Sequence, residues 1–320
     1  MTFNLGVSHQ TQPHLFADLA ELILAVRYDN NDDLSQAKLE HLLKEMPHDL
    51  DELDEEYIPD DTLEDCWTQL EYRQSVFDQF YPFVVKNDQL LWKVGQRTNK
   101  QCLYLFLLVC SRLRSFENNG GFRQYAAKAF TQICREALQV LSGENSVVRI
   151  FDANSDDRRN HYGTDLRLAI KKLGEEMGAD NFNEAEIAKL KGTGDNGLDL
   201  IAIHNFDDGA VGSYNIVGQC GAQETEWPTK TLEAHPVKLR GFFTLLNEPD
   251  NLMFIPISYR DATGNWVATN KLAGCLLIDR HRILNLLNKK WYEVCSTFQT
   301  KNTYLPLLQQ VCPSLDIELD

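Results

Sequence analysis

The sequence predicts an α/β domain preceded by a helical N-terminal domain, divided at residues 1–143 and 144–320. Three observations carry this. Up to Leu141, apolar residues recur at helical spacing in one segment after another. Character changes near Gly143, where a long amphipathic run stops. Beyond it, short β-prone runs and helical stretches mix in the order expected of an α/β layer structure. A chain of 320 residues, 43% of them hydrophobic, has ample material for one large core or two ordinary ones.

Within the first part, Leu15, Leu19, Leu22, Ile23 and Val26 mark one helix and Leu39, Leu42 and Leu43 a second, separated by the polar run Asn30 to Asp33. The segment Asp49 to Asp65, D-L-D-E-L-D-E-E-Y-I-P-D-D-T-L-E-D, is markedly acidic. It reads as a solvated linker or helix start. A sharper alternative is a mimic of nucleic-acid charge that covers a basic groove until a partner removes it. Leu63 to Gly143 is again helical, with a short strand at Leu90 to Val94. Leu103 to Leu113 is apolar on nearly all sides and reads as a buried helix. Phe122 to Leu141 is amphipathic and ends on Ser142 and Gly143.

In the second part, Val147 to Phe151 is β-prone and Asp156 to His161, D-D-R-R-N-H, is a charged loop. A helix from Thr164 to Met177 carries Leu166, Ala169, Ile170 and Leu173 on one face. Strands follow at Leu198 to Ile203 and Tyr214 to Gly218. Further apolar runs lie at Phe242 to Leu246, Met253 to Ser258 and Leu276 to Asp279, and a helix at Arg282 to Trp291.

The formal net charge of −16 argues against a general coat for nucleic acid or an anionic membrane. If the chain meets DNA, it does so through a local basic patch, or a partner supplies the positive field. The longest strongly apolar run, Leu103 to Cys110, is far below the roughly 20 residues of a membrane span. The N-terminus lacks the basic and apolar regions of a secretory signal. Eight scattered cysteines without a C-x-x-C pair fit a reducing cytoplasm rather than a disulfide framework or a zinc site.

The chemistry concentrates between Gly192 and Lys230, G-T-G-D-N-G-L-D-L-I-A-I-H-N-F followed by D-D-G-A-V-G-S-Y-N-I-V-G-Q-C-G-A-Q-E-T-E-W-P-T-K. Asp199 lies inside an apolar run, where a charge is costly unless paired or holding a metal. The next strand ends on Gln219 and Cys220. Neighbouring strand ends would bring Asp199 and the Gln219 amide oxygen together. With the Cys220 carbonyl, these form a hard-oxygen set suited to Mg²⁺ or Mn²⁺. Lys230 could orient a water, and Asp165, on the preceding helix, could add a carboxylate. Each has a plainer reading: a salt bridge for Asp199, a hydrogen bond closing the sheet for Gln219, packing for Cys220, a surface charge for Lys230, and a favoured charge at a helix N-terminus for Asp165. Trp227 reads as a core residue or loop anchor.

G-D-N-G-L-D-L-I-A followed by V-G-Q-C resembles the core of the PD-(D/E)xK restriction-endonuclease-like superfamily, closest to its Mrr-like branch with a Gln-Cys turn. The resemblance covers roughly residues 160 to 285. It implies a restriction-endonuclease-like mixed sheet flanked by helices. It also implies a helix acid (Asp165, with Glu175 and Glu176 as competitors), the invariant Asp (Asp199) and the Glu/Gln position (Gln219). The motif lysine would stand at 221, where this sequence has Gly221. In some branches it is displaced, and Gly-Gln-Cys followed by Trp227 and Lys230 fits that form.

The resemblance implies a metal-dependent endonuclease acting on DNA. A protein partner, such as an ATPase or sensor subunit of a prokaryotic anti-phage defence system, would control it. The oligomeric state is left open. The alternative is a catalytically inactive nuclease-fold protein serving as a DNA-binding or assembly subunit, and a third reading places the working surface on the helical half. Arg167, Lys171, Lys172, Lys189, Lys191, Lys238, Arg240, Lys289, Lys290 and the cluster Arg280, His281 and Arg282 are candidates to line a groove and contact phosphates.

Overall fold

A computed structural model describes residues 2–6, 9–28, 32–44, 60–233, 235–291 and 301–317. The first part contains α1 (Pro13–Ala25), β1 (Asp33–Ser35), α2 (Gln36–Lys44), α3 (Asp60–Phe77), β2 (Phe83–Lys86), β3 (Gln89–Trp92), α4 (Asn99–Ser111) and α5 (Phe122–Ser142). Thr98 and Gln101 form a reciprocal capping box that starts α4. Apolar on every side, α4 is buried all round, as its sequence requires. Strands β1, β3 and β2 form a small antiparallel sheet, so this part is not wholly helical. Of the acidic segment Asp49 to Asp65, residues 49–59 lie outside the described residues, and the remainder opens α3.

The second part contains β4 (Val147–Ile150), α6 (Leu166–Glu176), β5 (Asn181–Phe182), α7 (Glu184–Lys189), β6 (Leu200–His204), β7 (Tyr214–Cys220), α8 (Trp227–Lys230), α9 (Pro236–Leu239), β8 (Phe243–Thr244), β9 (Asp250–Phe254), β10 (Leu276–Ile278), α10 (Arg280–Lys289) and α11 (Lys301–Val311). Five strands form a mixed sheet in the order β10-β9-β7-β6-β4. The β10/β9 and β9/β7 pairs are parallel, and the β7/β6 and β6/β4 pairs antiparallel. The protein is thus mixed α/β, with helices on both faces of the sheet.

Both faces are buried, which explains why β6 reads as an unbroken apolar run. Leu200 and Ala202 pack with Ile216, Leu252 and Phe254 against α4, α5 and α10. Ile201 and Ile203 pack with Val217 against Leu166, Ala169, Ile170 and Leu173 of α6. The helices of the first part therefore share one continuous apolar cluster with one face of the sheet.

A fully buried ion network joins the two parts. Arg73 on α3 lies 2.7 Å from Asp18 and 3.0 Å from Glu21, both on α1. Arg280, opening α10, lies 2.9 Å from Asp18 and donates to the Pro256 carbonyl at 2.7 Å. The hydroxyls of Tyr81 and Tyr104 each donate to Glu21 at 2.8 Å. Burial alone would raise the Asp18 pKa, but the Arg280 and Arg73 guanidiniums outweigh it and hold it below the ordinary carboxylate value. This corrects one expectation: Arg280 cannot line a nucleic-acid groove, because its charge is consumed inside the core.

Removing one member of such a network leaves an uncompensated buried charge. Asp18→Ala is expected to lower the unfolding free energy by about 3–5 kcal/mol in a urea titration. Leu168→Ala, at an exposed position on α6, should change it by less than about 0.5 kcal/mol.

Candidate functional site

Asp199 stands immediately before β6. Its N–H donates to the Gly218 carbonyl at 3.1 Å, and its carbonyl accepts from Phe151 N–H at 2.7 Å. The residue is therefore clamped between β7 and the end of β4. Its Oδ2 accepts the Cys220 N–H at 2.8 Å, which fixes the carboxylate across the end of β7. Burial pushes the Asp199 acid up to about 7. The Cys220 N–H opposes that rise, Asp195 and Asp152 add to it, and the Lys230 charge opposes it.

The acids beside it are Asp152 and Asp195. One carboxylate oxygen from each of Asp152, Asp195 and Asp199 lies within 4.8 Å of the others, and all three residues are partly buried. Asp152 lies two residues past the end of β4 and accepts the Asn154 N–H at 2.7 Å. Asp195 heads the turn into β6 and accepts the Gly197 N–H at 2.9 Å. Asn196 (φ 60°) and Gly197 (φ 79°) are left-handed there, the conformation that Asn and Gly tolerate best. A side chain at 197 would also meet Glu233, with Cβ atoms 2.9 Å apart. Sequence reasoning missed both acids as ligands. The available signal was an acid ending the V-V-R-I-F-D run and the acid of the D-N-G turn, each next to a strand end.

Gln219 is 5% exposed. Its Nε2 donates to Glu233 Oε2 at 2.6 Å, while its Oε1 is buried without a hydrogen-bond partner. That orphaned oxygen is the atom expected to serve as a ligand. Cys220 contributes its N–H to Asp199, while its thiol packs toward Cys134 and Thr131 of α5, within the core. Lys230 closes α8 and is partly buried. With its amide oriented to satisfy both atoms, Gln223 accepts from Lys230 Nζ at 3.0 Å and donates to Glu226 at 3.2 Å. Buried Trp227 anchors α8 by an edge contact with Tyr259, ring centroids 4.9 Å apart.

Asp165 lies outside the three-carboxylate cluster. Its Oδ1 caps α6, accepting from Arg167 N at 2.9 Å and Leu168 N at 3.3 Å. Of its competitors, Glu176 is engaged by Arg149 and by the Tyr162 hydroxyl, the latter at 2.5 Å. Besides Arg280, four of the basic candidates carry acidic partners: Lys171 with Glu184, Lys189 with Glu186, Arg240 with Glu248 and Lys290 with Glu144. Lys238 lines a small cleft with Asp195, Asn196, Glu233 and His235.

Gly221 stands where the resemblance would put a lysine, and the space around it is tight. A Cβ there would lie 2.4 Å from Met253 Cε and 3.2 Å from Trp227 Cβ. The three carboxylates are hard oxygen donors of the kind that could hold a magnesium-like cation.

Two outcomes follow from this geometry. Gly221→Ala should destabilise the fold by about 1–3 kcal/mol through overpacking, measured by denaturant melts. The Asp199 acid lies above its ordinary value of 3.8, at about 7, so folding favours its neutral form. The cost of charging it is absent below about pH 4, grows up to about pH 7 and is complete above. Asp199→Asn keeps the acceptor for Cys220. Without metal it should therefore be more stable than the parent at pH 8, by on the order of 2–4 kcal/mol. Near pH 4 the two should be equal. A difference that does not change with pH would contradict the assignment.

Compared with protein-family models, curated proteins and solved structures, the chain matches none of them.

Proposed function

We propose that the protein is a metal-dependent endonuclease that hydrolyses DNA phosphodiester bonds. The observation that supports this best is the convergence of Asp152, Asp195 and Asp199 within 4.8 Å, at strand ends, where Asp199 is already hard to ionise. Three such acids repel one another strongly unless protonated or bridged by a cation. Asp199, Asp152 and Asp195 would hold Mg²⁺ or Mn²⁺, with Gln219 Oε1 as a neutral donor. A cation bound there would neutralise charge building on the scissile phosphate and make a water more acidic.

The chain's own residues divide the remaining work. The Cys220 N–H holds the Asp199 carboxylate in one orientation. The Lys230 ammonium orients the attacking water and offsets the phosphate's negative charge. Lys238, on the cleft beside Asp195, can contact a neighbouring phosphate. The net charge of −16 weakens unaided approach to DNA. This supports control by a protein partner, such as an ATPase or sensor subunit of a prokaryotic anti-phage defence system.

One observation favours a second reading. The closed space at Gly221 removes the usual lysine, and a neutral Gln219 holds a cation less tightly than Glu would. A catalytically inactive nuclease-fold subunit that binds DNA or supports assembly has both features.

Incubation with supercoiled plasmid and Mg²⁺ or Mn²⁺ tests the first reading. Wild type should nick or linearise the plasmid, Asp199→Ala should not, and Lys230→Ala should be slower by roughly 100-fold or more. Equal cleavage by wild type and Asp199→Ala ends the proposal. Cation-dependent DNA retention without cleavage favours the second reading.

A further inference from the structure

The charged loop after β4 contains one residue that is not on the surface. Arg158 is fully buried and opens a single π-helical turn, Arg158–Tyr162, closed by Gly163 N–H on its carbonyl at 2.8 Å. Turns of this type are rare and concentrate near functional sites. The guanidinium lies over the Phe151 ring, 4.5 Å from its centroid.

Its hydrogen bonds go to three carbonyls. Nη1 donates to Phe151 O at 3.3 Å and to Gly194 O at 3.1 Å. Nε donates to Gly163 O at 2.9 Å. Phe151 and Gly194 are the residues immediately before Asp152 and Asp195, and Gly163 is two before the capping Asp165. One planar fork therefore ties together the two separate loops that bring acids to Asp199. The remaining nitrogen, Nη2, is buried without a hydrogen-bond partner. Burial draws the Arg158 pKa down, and Asp195, Asp152 and Asp165 push it back up, so its charge is felt by the same acids.

We infer that Arg158 is the positioning residue of the cation site: by gripping the carbonyls of Phe151 and Gly194 it holds Asp152 and Asp195 beside Asp199 before any cation arrives. The inference rests on the proposed cation site. It adds that the site is preorganised by a buried guanidinium that is not itself a ligand. Groups that orient ligands typically set metal affinity by roughly 10–100-fold. Lysine cannot replace the fork, because a single ammonium does not reproduce its fixed donor geometry.

Calorimetric titration of the full chain with Mn²⁺ at pH 8 separates the possibilities. Wild type should bind, and Asp199→Asn should lose binding. Arg158→Gln and Arg158→Lys should each bind roughly 10–100-fold more weakly, with unchanged stoichiometry and cooperative melting in metal-free buffer. Raised Mn²⁺ should restore saturation, a response that global unfolding would not give. Arg159→Ala, at the exposed neighbour paired with Asp156, should bind as wild type does. If Arg158→Gln fails to fold, Arg158→Lys, which keeps the buried charge, carries the comparison. Wild-type affinity in a folded Arg158 variant, or equal weakening by Arg159→Ala, overturns the role of Arg158 alone. Absence of binding by wild type overturns the cation site, and the inference with it.

Discussion

At the mouth of the five-stranded sheet, the Cys220 N–H holds a carboxylate that burial and two neighbouring acids resist charging. Asp199 cannot swing out to water without giving up that bond, and it cannot ionise cheaply beside Asp152 and Asp195. A protein can resolve such an arrangement by keeping a proton or by recruiting a cation. A set of three hard-oxygen donors suits the second course. The local chain geometry serves the same end. The left-handed Asn196 and Gly197 turn delivers Asp195, and the end of β4 delivers Asp152.

The remainder of the chain holds this arrangement from two sides. Below the sheet, the network of Asp18, Glu21, Arg73 and Arg280 joins α1 and α3 to the start of α10. The N-terminal helices thereby share the sheet's core rather than forming a detached appendage. At the front, contacts from the first part reach the loop that carries Lys230. His9 meets Glu224 at 2.8 Å, and Arg114 grips Glu226 through two nitrogens at 2.7 and 3.2 Å. These contacts tie the loop that carries Lys230 to the first part of the chain.

Much of the fold was legible because its signals are local. Helical spacing marked α5 and α6, and an apolar run on nearly all sides marked α4. Unbroken apolar runs marked β6 and β7, and the change of character near Gly143 marked where the large sheet begins. Asp199 was legible for the same reason, as one charge in an otherwise apolar run. Asp165 was legible only as a choice between two readings, because an acid at the start of a helix looks the same whether it caps the helix or binds a cation; its side chain caps α6. Asp152 and Asp195 depend on pairing between β4, β6 and β7, which no local spacing encodes. Arg158 and Arg280 looked like surface charges because their carbonyl and carboxylate partners are distant in sequence. Gly221 read only as a departure from the expected lysine, because the tight space that a Cβ there would meet, Met253 Cε and Trp227 Cβ, comes from residues distant in sequence or in the following turn.

Anomalous diffraction from crystals soaked in Mn²⁺ locates the cation. One strong peak is expected, bounded by Asp152, Asp195 and Asp199, with Gln219 Oε1 turned toward it. Crystals that take up Mn²⁺ elsewhere, with no peak between those three carboxylates, would contradict that placement.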